Sequence, residues 1–442
     1  MSKFDERLEL AQWVVDQATK SGASETRVSI TRRRYVSLDY REREVEKLEE
    51  SVENGLSLAL YVDGKYSAHR TSDLRRDALR SFVEQATGMT GYLEKDPYRY
   101  LPEPKYYEGR SQQNLDLMDP NYGALSAEER HRMVQEVENA ALDAGGDKIV
   151  SVEAGYYDSV SEEVVVASNG FVGTAEGSNF WTGASVTAKD EGDKRPSDWC
   201  WEGGVHRGGI VDPVAIGKEA VSRSLARVGA SKIATEKLPL VVENRTSSRL
   251  LRFMGNGLYG RNLQQKSSYL EGKQGEQIAS ALLSVYDDPL IPRAFGSQLY
   301  DSEGIAAKRM PVIEKGVLKN YYIDTYYARK LGVDATTGGP SNIVFETGEK
   351  SPEDWMKQLG RGILVTGFIG GNSNSSTGDF STGIYGFLFD GGQIVRPVNE
   401  LNIAGNHLEF WHKVIGVGND PYVFSSWRTP TIVFDALTVA GA

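Results

Sequence analysis

The sequence predicts an α+β protein: a small N-terminal α/β domain, a middle α+β region and a large strand-rich C-terminal domain with a mixed or antiparallel sheet. Three observations carry this. Helical periodicity is confined to a few segments, the stretches between them alternate in polarity, and 47 glycines against 15 prolines in 442 residues supply turns and hairpins. The length gives a prior of two to four domains, at about 100–200 residues each.

Phe4, Leu8, Ala11, Val14, Val15 and Ala18 recur at helical spacing before Gly22, so the chain is expected to open on an amphipathic helix. Alternation over residues 24–43 predicts a strand, and residues 55–67 read as a hairpin turning at Asp63-Gly64. Ser72 is expected to cap a second helix carrying Leu74, Ala78, Leu79, Phe82 and Val83. Residues 1–93 thus form a first α+β unit. Residues 94–124 hold KDPYRYLPEPKYYEGR, rich in proline and tyrosine. They are a linker or an extended arm laid on another surface, and Tyr98, Tyr100, Tyr106 and Tyr107 favour the arm, because a solvated linker has little use for them.

The middle unit, residues 125–232, is expected to start with a helix from Ser126 to about Ala144. Strands follow over residues 149–157, 163–168, 171–176 and 182–189, with a turn at Asn169-Gly170, and a helix over residues 212–228 closes the unit. In residues 233–442 a strand is expected over 237–242 and hairpin-like segments over 363–367, 384–389 and 394–398. Helix is confined there to residues 247–253, 354–359 and 408–415.

Lys plus Arg total 50 and Asp plus Glu 61, a formal charge of −11. Phosphate neutralisation supplies most non-specific nucleic-acid affinity, and the densest basic cluster, Arg32 to Arg34, is soon followed by the acidic residues 42–50, so direct nucleic-acid binding is not expected. One cysteine, Cys200, permits no internal disulfide. Asp5, Glu6 and Arg7 stand where a signal peptide needs an apolar core, and apolar runs such as residues 56–62 are far below the roughly 20 residues that cross a bilayer. A cytoplasmic location and no membrane association are expected.

Searches for chemistry end mostly in structural readings. The segment HLEFWH pairs His407, Glu409 and His412. At about 100° per residue on a helix the two histidines lie about 140° apart and do not share a face, so helix-end or surface histidines are expected rather than a metal site. Cys200 sits in DWCWEGG as a buried or strand-edge thiol, and GNGLYG at Gly255 to Gly260 reads as glycines ending a helix rather than a dinucleotide fingerprint. Asp301 and Glu303 could form an acid/base pair, but Gly304 behind them favours a turn, and Asp287-Asp288-Pro289 reads as a loop.

Several motifs in order carry a resemblance. SSYLEGKQGEQIAS (267–280), YDDP (286–289), YDSEG (300–304), VIEKGVLKNYYIDTYYARKLG (312–332), STGDFSTGIYGFLFDGGQIVRPVNELNIAGN (376–406) and IGVGND (415–420) closely resemble the TldD/PmbA family, often labelled modulators of DNA gyrase. The likeness covers nearly the whole chain. In that family's TldD branch a helix bearing H-E-x-x-x-H and a C-terminal cysteine make a zinc site for peptide hydrolysis. Here the corresponding stretch, ENRTSSRLLRFMGNGLYG, has no histidine, and PYVFSSWRTP places Ser425, Ser426 and Trp427 around where the thiol would be.

The resemblance therefore implies the PmbA (TldE) branch, the non-metal subunit of a heterodimeric metalloprotease. No catalytic or metal-binding residue and no cofactor is expected in this chain, and zinc is expected in a TldD-type partner. The two subunits would enclose a chamber that an unfolded peptide enters as an added β-strand, and a homodimer in isolation is compatible with the pairing. Asp301, Glu303, Gly304, Gly378, Asp379, Phe380 and Ser381 are the motif positions put forward for that chamber. Two alternatives stay open: a regulatory protein-binding factor acting on gyrase, and a self-sufficient hydrolase built on Asp301, Glu303 and Asp379.

Overall fold

A computed structural model describes residues 4–210 and 212–441. Helix α1 (Asp5–Lys20) buries Ala11, Val14, Val15 and Ala18, the face its spacing predicts. Strands β1 (Glu25–Arg41), β2 (Glu44–Val62) and β3 (Lys65–Thr71) follow as an antiparallel meander. Helix α2 (Arg76–Thr90) starts later than expected and corrects the expected cap: its N-cap is Arg75, with no side-chain bond, not Ser72. The entry is shaped instead by Asp73, whose carboxylate accepts the Arg75 backbone N–H at 3.1 Å. Such a local Asx-type bond replaces the capping bond.

Helix α3 (Ala127–Gly145) begins at Ser126, which forms a reciprocal capping box with Glu129. Strands β4 (Ile149–Ala167), β5 (Val172–Ala188) and β6 (Ser197–Gly204) precede α4 (Pro213–Ala226), whose N-cap is Asp212. The four short strands expected here are two long ones, paired from Ile149 with Ala188 to Val166 with Val172. The polar residues that seemed to interrupt them are strand residues with distant partners. Asp158 accepts from Arg130 at 2.5 Å and from Tyr122 at 2.6 Å, and Glu162 from Arg7 at 2.7 Å. Strand β6 has no counterpart in the sequence reading.

All six strands lie in one antiparallel sheet of order β3-β2-β1-β4-β5-β6, joined through the β1–β4 pair. Four helices cover one face: α1 and α2 over Val28, Ile30, Leu56, Leu58 and Leu60, and α3 and α4 over Leu38, Tyr40, Tyr156 and Phe180. Each such side chain contributes about 1.5–3 kcal/mol on burial, so this face anchors the sheet and leaves the other for interactions. At the sheet's basic cluster Arg34 pairs with Glu50 at 2.7 Å, and Arg32 lies 3.8 Å from Glu162.

Residues 94–124 cross to the rest of the chain as largely irregular backbone broken by 3-10 turns at Pro104–Tyr107 and Tyr122–Ala124. Leu101 packs with Val165, Phe171 and Tyr300, and Arg329 lies 3.3 Å from the Tyr100 ring centroid while donating to the carbonyls of Tyr98, Tyr100 and Leu101.

The remaining elements are β7 (Glu236–Val242), α5 (Asn244–Gly255), α6 (Gly260–Gln264), β8 (Val285–Asp287), β9 (Met310–Glu314), β10 (Val317–Leu318), α7 (Thr325–Leu331), β11 (Ile343–Phe345), α8 (Pro352–Leu359), β12 (Gly362–Ser373), β13 (Asp379–Asp390), β14 (Gln393–Asn406), α9 (His407–Phe410), β15 (Val414–Val417), β16 (Trp427–Arg428) and β17 (Ile432–Val439). They form a mixed six-stranded sheet, β14-β13-β12-β7-β17-β15, and a five-stranded sheet, β10-β9-β8-β11-β16. The fold is thus α+β with a strand-rich C-terminal region. The helix expected over residues 408–415 is shorter: α9 and one 3-10 turn end at Lys413, and Val414–Val417 joins the sheet edge as β15. Among the described residues no helix is long and apolar enough to cross a membrane.

Candidate functional site

The sequence-predicted positions lie in two places that the fold does not bring together. Asp301 accepts the backbone N–H groups of Glu303 at 2.9 Å, Ile305 at 3.0 Å and Gly338 at 3.2 Å, and the Thr337 hydroxyl at 3.1 Å. Glu303 accepts the Thr325 N–H at 2.8 Å and hydroxyl at 2.7 Å at the start of α7, and its burial raises its pKa above the usual carboxylate range. Gly304 closes the turn against Phe171. Both carboxylates are thus occupied in holding loop backbone.

The second group heads β13. Asp379 accepts from Asn406 at 2.9 Å and Thr377 at 2.7 Å, bonds that lower its pKa. Gly378, at φ +81°, must be small and left-handed, because a Cβ there would stand 3.1 Å from the Tyr269 ring. Ser381 contacts Asn402, and buried Phe380 stacks on His407 with centroids 4.8 Å apart. Asp301 lines a cavity of about 930 Å³ shared with Arg27, Ser29 and Glu163, whereas Ser381 lines another with Ile369 and Glu400.

His407 is a core residue. Its ring lies between Tyr269 and Phe380, Nδ1 accepts from Trp411 Nε1 at 3.2 Å, and Nε2 meets the Ser373 hydroxyl at 3.0 Å. Burial pushes its pKa down to about 4, so it is neutral at pH 7. Both ring nitrogens are used. Among the described residues no group of three or more His, Cys, Asp and Glu side chains is placed to hold a metal ion.

Helix α5 lies in the stretch that the family resemblance sets against the TldD zinc helix, and it is bound to the C-terminal segment along its first turn. Asn244 Nδ2 donates to the Asp420 carbonyl at 2.8 Å, Ser247 to the Pro430 carbonyl at 2.9 Å, and Thr429 to the Asn244 carbonyl at 2.9 Å. Towards the helix's C-terminal end, Trp427 closes on Leu251, Met254, Gly255 and Leu258 around a residual space of about 20 Å³. Zinc needs thiolate, imidazole or carboxylate donors, so these residues do not fit it. The space is a hydrocarbon contact.

At the other end of α5 a larger cavity opens, of about 510 Å³. Tyr157 on β4, Trp181 on β5 and Trp199 and Trp201 on β6 emerge on the sheet face opposite the helices. Facing them are Arg245 and Ser248 of α5 and Tyr422, Phe424 and Ser425. Three strand positions carry no side chain so that indoles can lie flat. A Cβ at Gly183 or Gly155 would stand 2.5 or 2.7 Å from the Trp201 ring, and one at Gly203 2.4 Å from that of Trp181. Trp181 also stacks on Phe295 at 4.9 Å, with ring planes 20° apart.

The Arg245 guanidinium lies 3.9 Å from the Trp199 ring centroid and donates to the Trp199 carbonyl at 2.7 Å and to Asp198 at 2.5 Å. Buried Asp198 also sits 3.5 Å from Arg223, which forks onto Glu243 at 2.7 and 2.8 Å. Cys200, between the two tryptophans of β6, is half-buried, and burial pushes its thiol up to about 11, leaving it a poor nucleophile. The sequence reading considered DWCWEGG only for its thiol. The usable signal was the W-x-W spacing, which puts two indoles on one face of a strand.

Three successive segments match domains described as PmbA/TldA metallopeptidase domain 1 (residues 27–90), central domain (120–228) and C-terminal domain (235–441). The scaffold is therefore of metallopeptidase type, and the chain belongs to the PmbA/TldD family. It is 27% identical to the metalloprotease PmbA of Escherichia coli over 95% of this chain and 93% of the relative. To the TldD homolog of Haemophilus influenzae it is 26% identical over 66% of this chain and 64% of the relative. A solved structure from Bacteroides thetaiotaomicron described as a modulator of DNA gyrase superposes with a TM-score of 0.96 at 39% identity over 99% of both chains. TldE from Thermococcus kodakarensis shares the fold, with a TM-score of 0.85 at 22% identity over 98% of this chain and all of that one.

Proposed function

We propose that this chain is the zinc-less subunit of a TldD/TldE-type heterodimeric metalloprotease and that it helps enclose and bind unfolded peptide. One observation carries the reading: where α5 meets the C-terminal segment, Trp427, Leu251 and Met254 fill the space with groups that cannot ligate zinc. The comparisons support the branch, since likeness to PmbA extends over 95% of the chain and likeness to a TldD homolog over 66%. Bond breaking then falls to a TldD-type partner, where a metal-bound water can become a nucleophile at neutral pH. This subunit supplies walls, and main-chain pairing with an extended peptide would supply affinity independent of side-chain identity, leaving any preference to side-chain pockets.

The test is metal analysis and cleavage of an unfolded peptide by the chain alone, by a TldD-type partner alone and by the two mixed. The expected result is no bound zinc and no cleavage alone, with cleavage in the mixture exceeding that of the partner. Stoichiometric zinc or robust solo cleavage would refute it. The description of the Bacteroides neighbour as a gyrase modulator favours a second reading, a regulatory protein-binding factor, for which gyrase retained by the immobilised chain is the corresponding observation.

A further inference from the structure

The cavity at the start of α5 has the chemistry of a receptor for one flat, electron-rich ring. We infer that it binds an aromatic side chain, indole or phenol, of a peptide held in extended form; this names a substrate class and rests on the reading proposed above.

The first support is shape. Trp201 lies flat across Gly183 and Gly155 and offers its outer ring face, while Trp181, flat across Gly203 and covered by Phe295, gives the shelf an edge, where ordinary strands offer side-chain tips. Glycine in strand interiors weakens a sheet, and three such positions beneath two indoles make a shelf at a cost in stability. Tyr422 and Phe424 close the opposite side, about 5.7 Å apart by ring centroids and at 77° to one another. A planar group entering between shelf and loop meets one ring face and two differently oriented rings, the offset and edge-on arrangements that aromatic pairs prefer.

The second support is charge. An aromatic box more often serves a cation, held by ring faces and a nearby carboxylate. Here the residues lining the cavity include no carboxylate, and the one charged group among them is itself cationic. Arg245 already occupies a face of Trp199, and its partner Asp198 is buried and shared with Arg223. A second cation would meet repulsion in place of a counter-ion. An electron-rich ring meets the reverse, since the Arg245 guanidinium can face it as it faces Trp199. The hydroxyl groups of Ser248 and Ser425 are the nearby polar groups for an indole N–H or a phenol.

The experiment uses the full chain without any partner and follows binding by calorimetry of three capped tripeptides, acetyl-Gly-X-Gly-amide with X as Trp, Lys or Ala. The Trp peptide is expected to bind at least tenfold more tightly than either other. Trp201→Leu removes the shelf and Tyr422→Leu the opposite wall, and each is expected to lower that preference at least fivefold. Because Trp201 is packed against the sheet, its variant is read only if its thermal unfolding stays cooperative. Tyr422 lies on a surface segment and keeps the test independent. Equal binding of the three peptides, tighter binding of the Lys peptide, no heat with any, or an unchanged preference in the Tyr422 variant each overturns the inference. A chain that is zinc-free and raises a partner's cleavage, yet does not discriminate among the peptides, would overturn this inference alone. A chain that holds zinc would overturn the proposed function and leave the peptide preference to be judged separately.

Discussion

The two ends of α5 meet the C-terminal segment in opposite ways. At the helix's C-terminal end Trp427 packs on Leu251, Met254 and Leu258 and leaves about 20 Å³, while at its start six aromatic rings stand around about 510 Å³. One end is closed by packing, and the other keeps open space. The difference lies in what stands behind each. The closed end has aliphatic side chains that can fill any gap, at a gain of roughly 25 cal/mol per Å² of apolar surface removed from water. The open end rests on a charge cluster, Asp198 and Glu243 with Arg223 and Arg245, whose paired side chains are fixed by ion pairs and supply no aliphatic bulk to fill the space.

That contrast can be broken or sharpened by substitution. The largest effect is expected for Asp198→Ala, which removes the buried carboxylate shared by Arg245 and Arg223 and leaves both to Glu243. Removing one partner of a buried ion pair costs about 3–5 kcal/mol, and with Glu243 remaining the loss should lie towards the lower end, to be read by urea unfolding; a loss below about 1 kcal/mol would show that Asp198 does not anchor this end.

Next comes a pH effect at the closed end, where Tyr269 and Ser373, which flank His407, also hold the Met254 and Phe253 carbonyls of α5. The imidazole titrates at about 4 in the folded chain against 6.5 ordinarily, because burial disfavours its charged form. Between those values the unfolded chain binds the proton and the folded chain does not. Stability is therefore full above about pH 6.5 and falls as pH drops towards 4, by up to about 3 kcal/mol at about 1.4 kcal/mol per pH unit. His407→Gln should flatten this slope between pH 7.5 and 4.5 relative to the parent, and parallel slopes would contradict the assignment.

Trp427→Ala should cost about 2 kcal/mol, less than for a fully buried tryptophan because the ring is half-exposed, and should leave the chain without zinc affinity in a chelator competition. Smallest of all, Ser248→Ala at the rim of the open cavity should change the unfolding midpoint by no more than about 0.5 kcal/mol allows.

Local features were readable from the sequence. The Ser126–Glu129 capping box and the Asp212 cap are contacts within three residues, and the buried face of α1 follows from spacing alone. Apart from the start of α2, where Asp73 two residues before Arg75 shapes the entry in place of a Ser72 cap, the features that escaped depend on partners far along the chain. Asp158 and Glu162 look like loop residues until Arg130, 28 positions away, and Arg7, 155 positions away, make them strand residues. Strand β6 was missed for a related reason. DWCWEGG shows neither clean alternation nor an apolar run, and it becomes a strand by pairing along β5. The carboxylates Asp301 and Glu303 were correctly suspected of turn duty, since Gly304 marks the bend, but that Glu303 reaches the first residue of α7 required the fold.

By itself the sequence determined the donor inventory. No histidine stands in residues 243–260, and a single cysteine lies far from the C-terminus, facts of covalent composition that no folding can alter. Only the tertiary structure decided what those stretches pack against. Trp427 reaches α5, and Tyr422 and Phe424 reach Trp181, Trp199 and Trp201, across more than 170 and 200 residues of chain respectively. Burial of apolar and aromatic surface is non-directional and indifferent to sequence distance, so the spacing of residues could not announce these contacts.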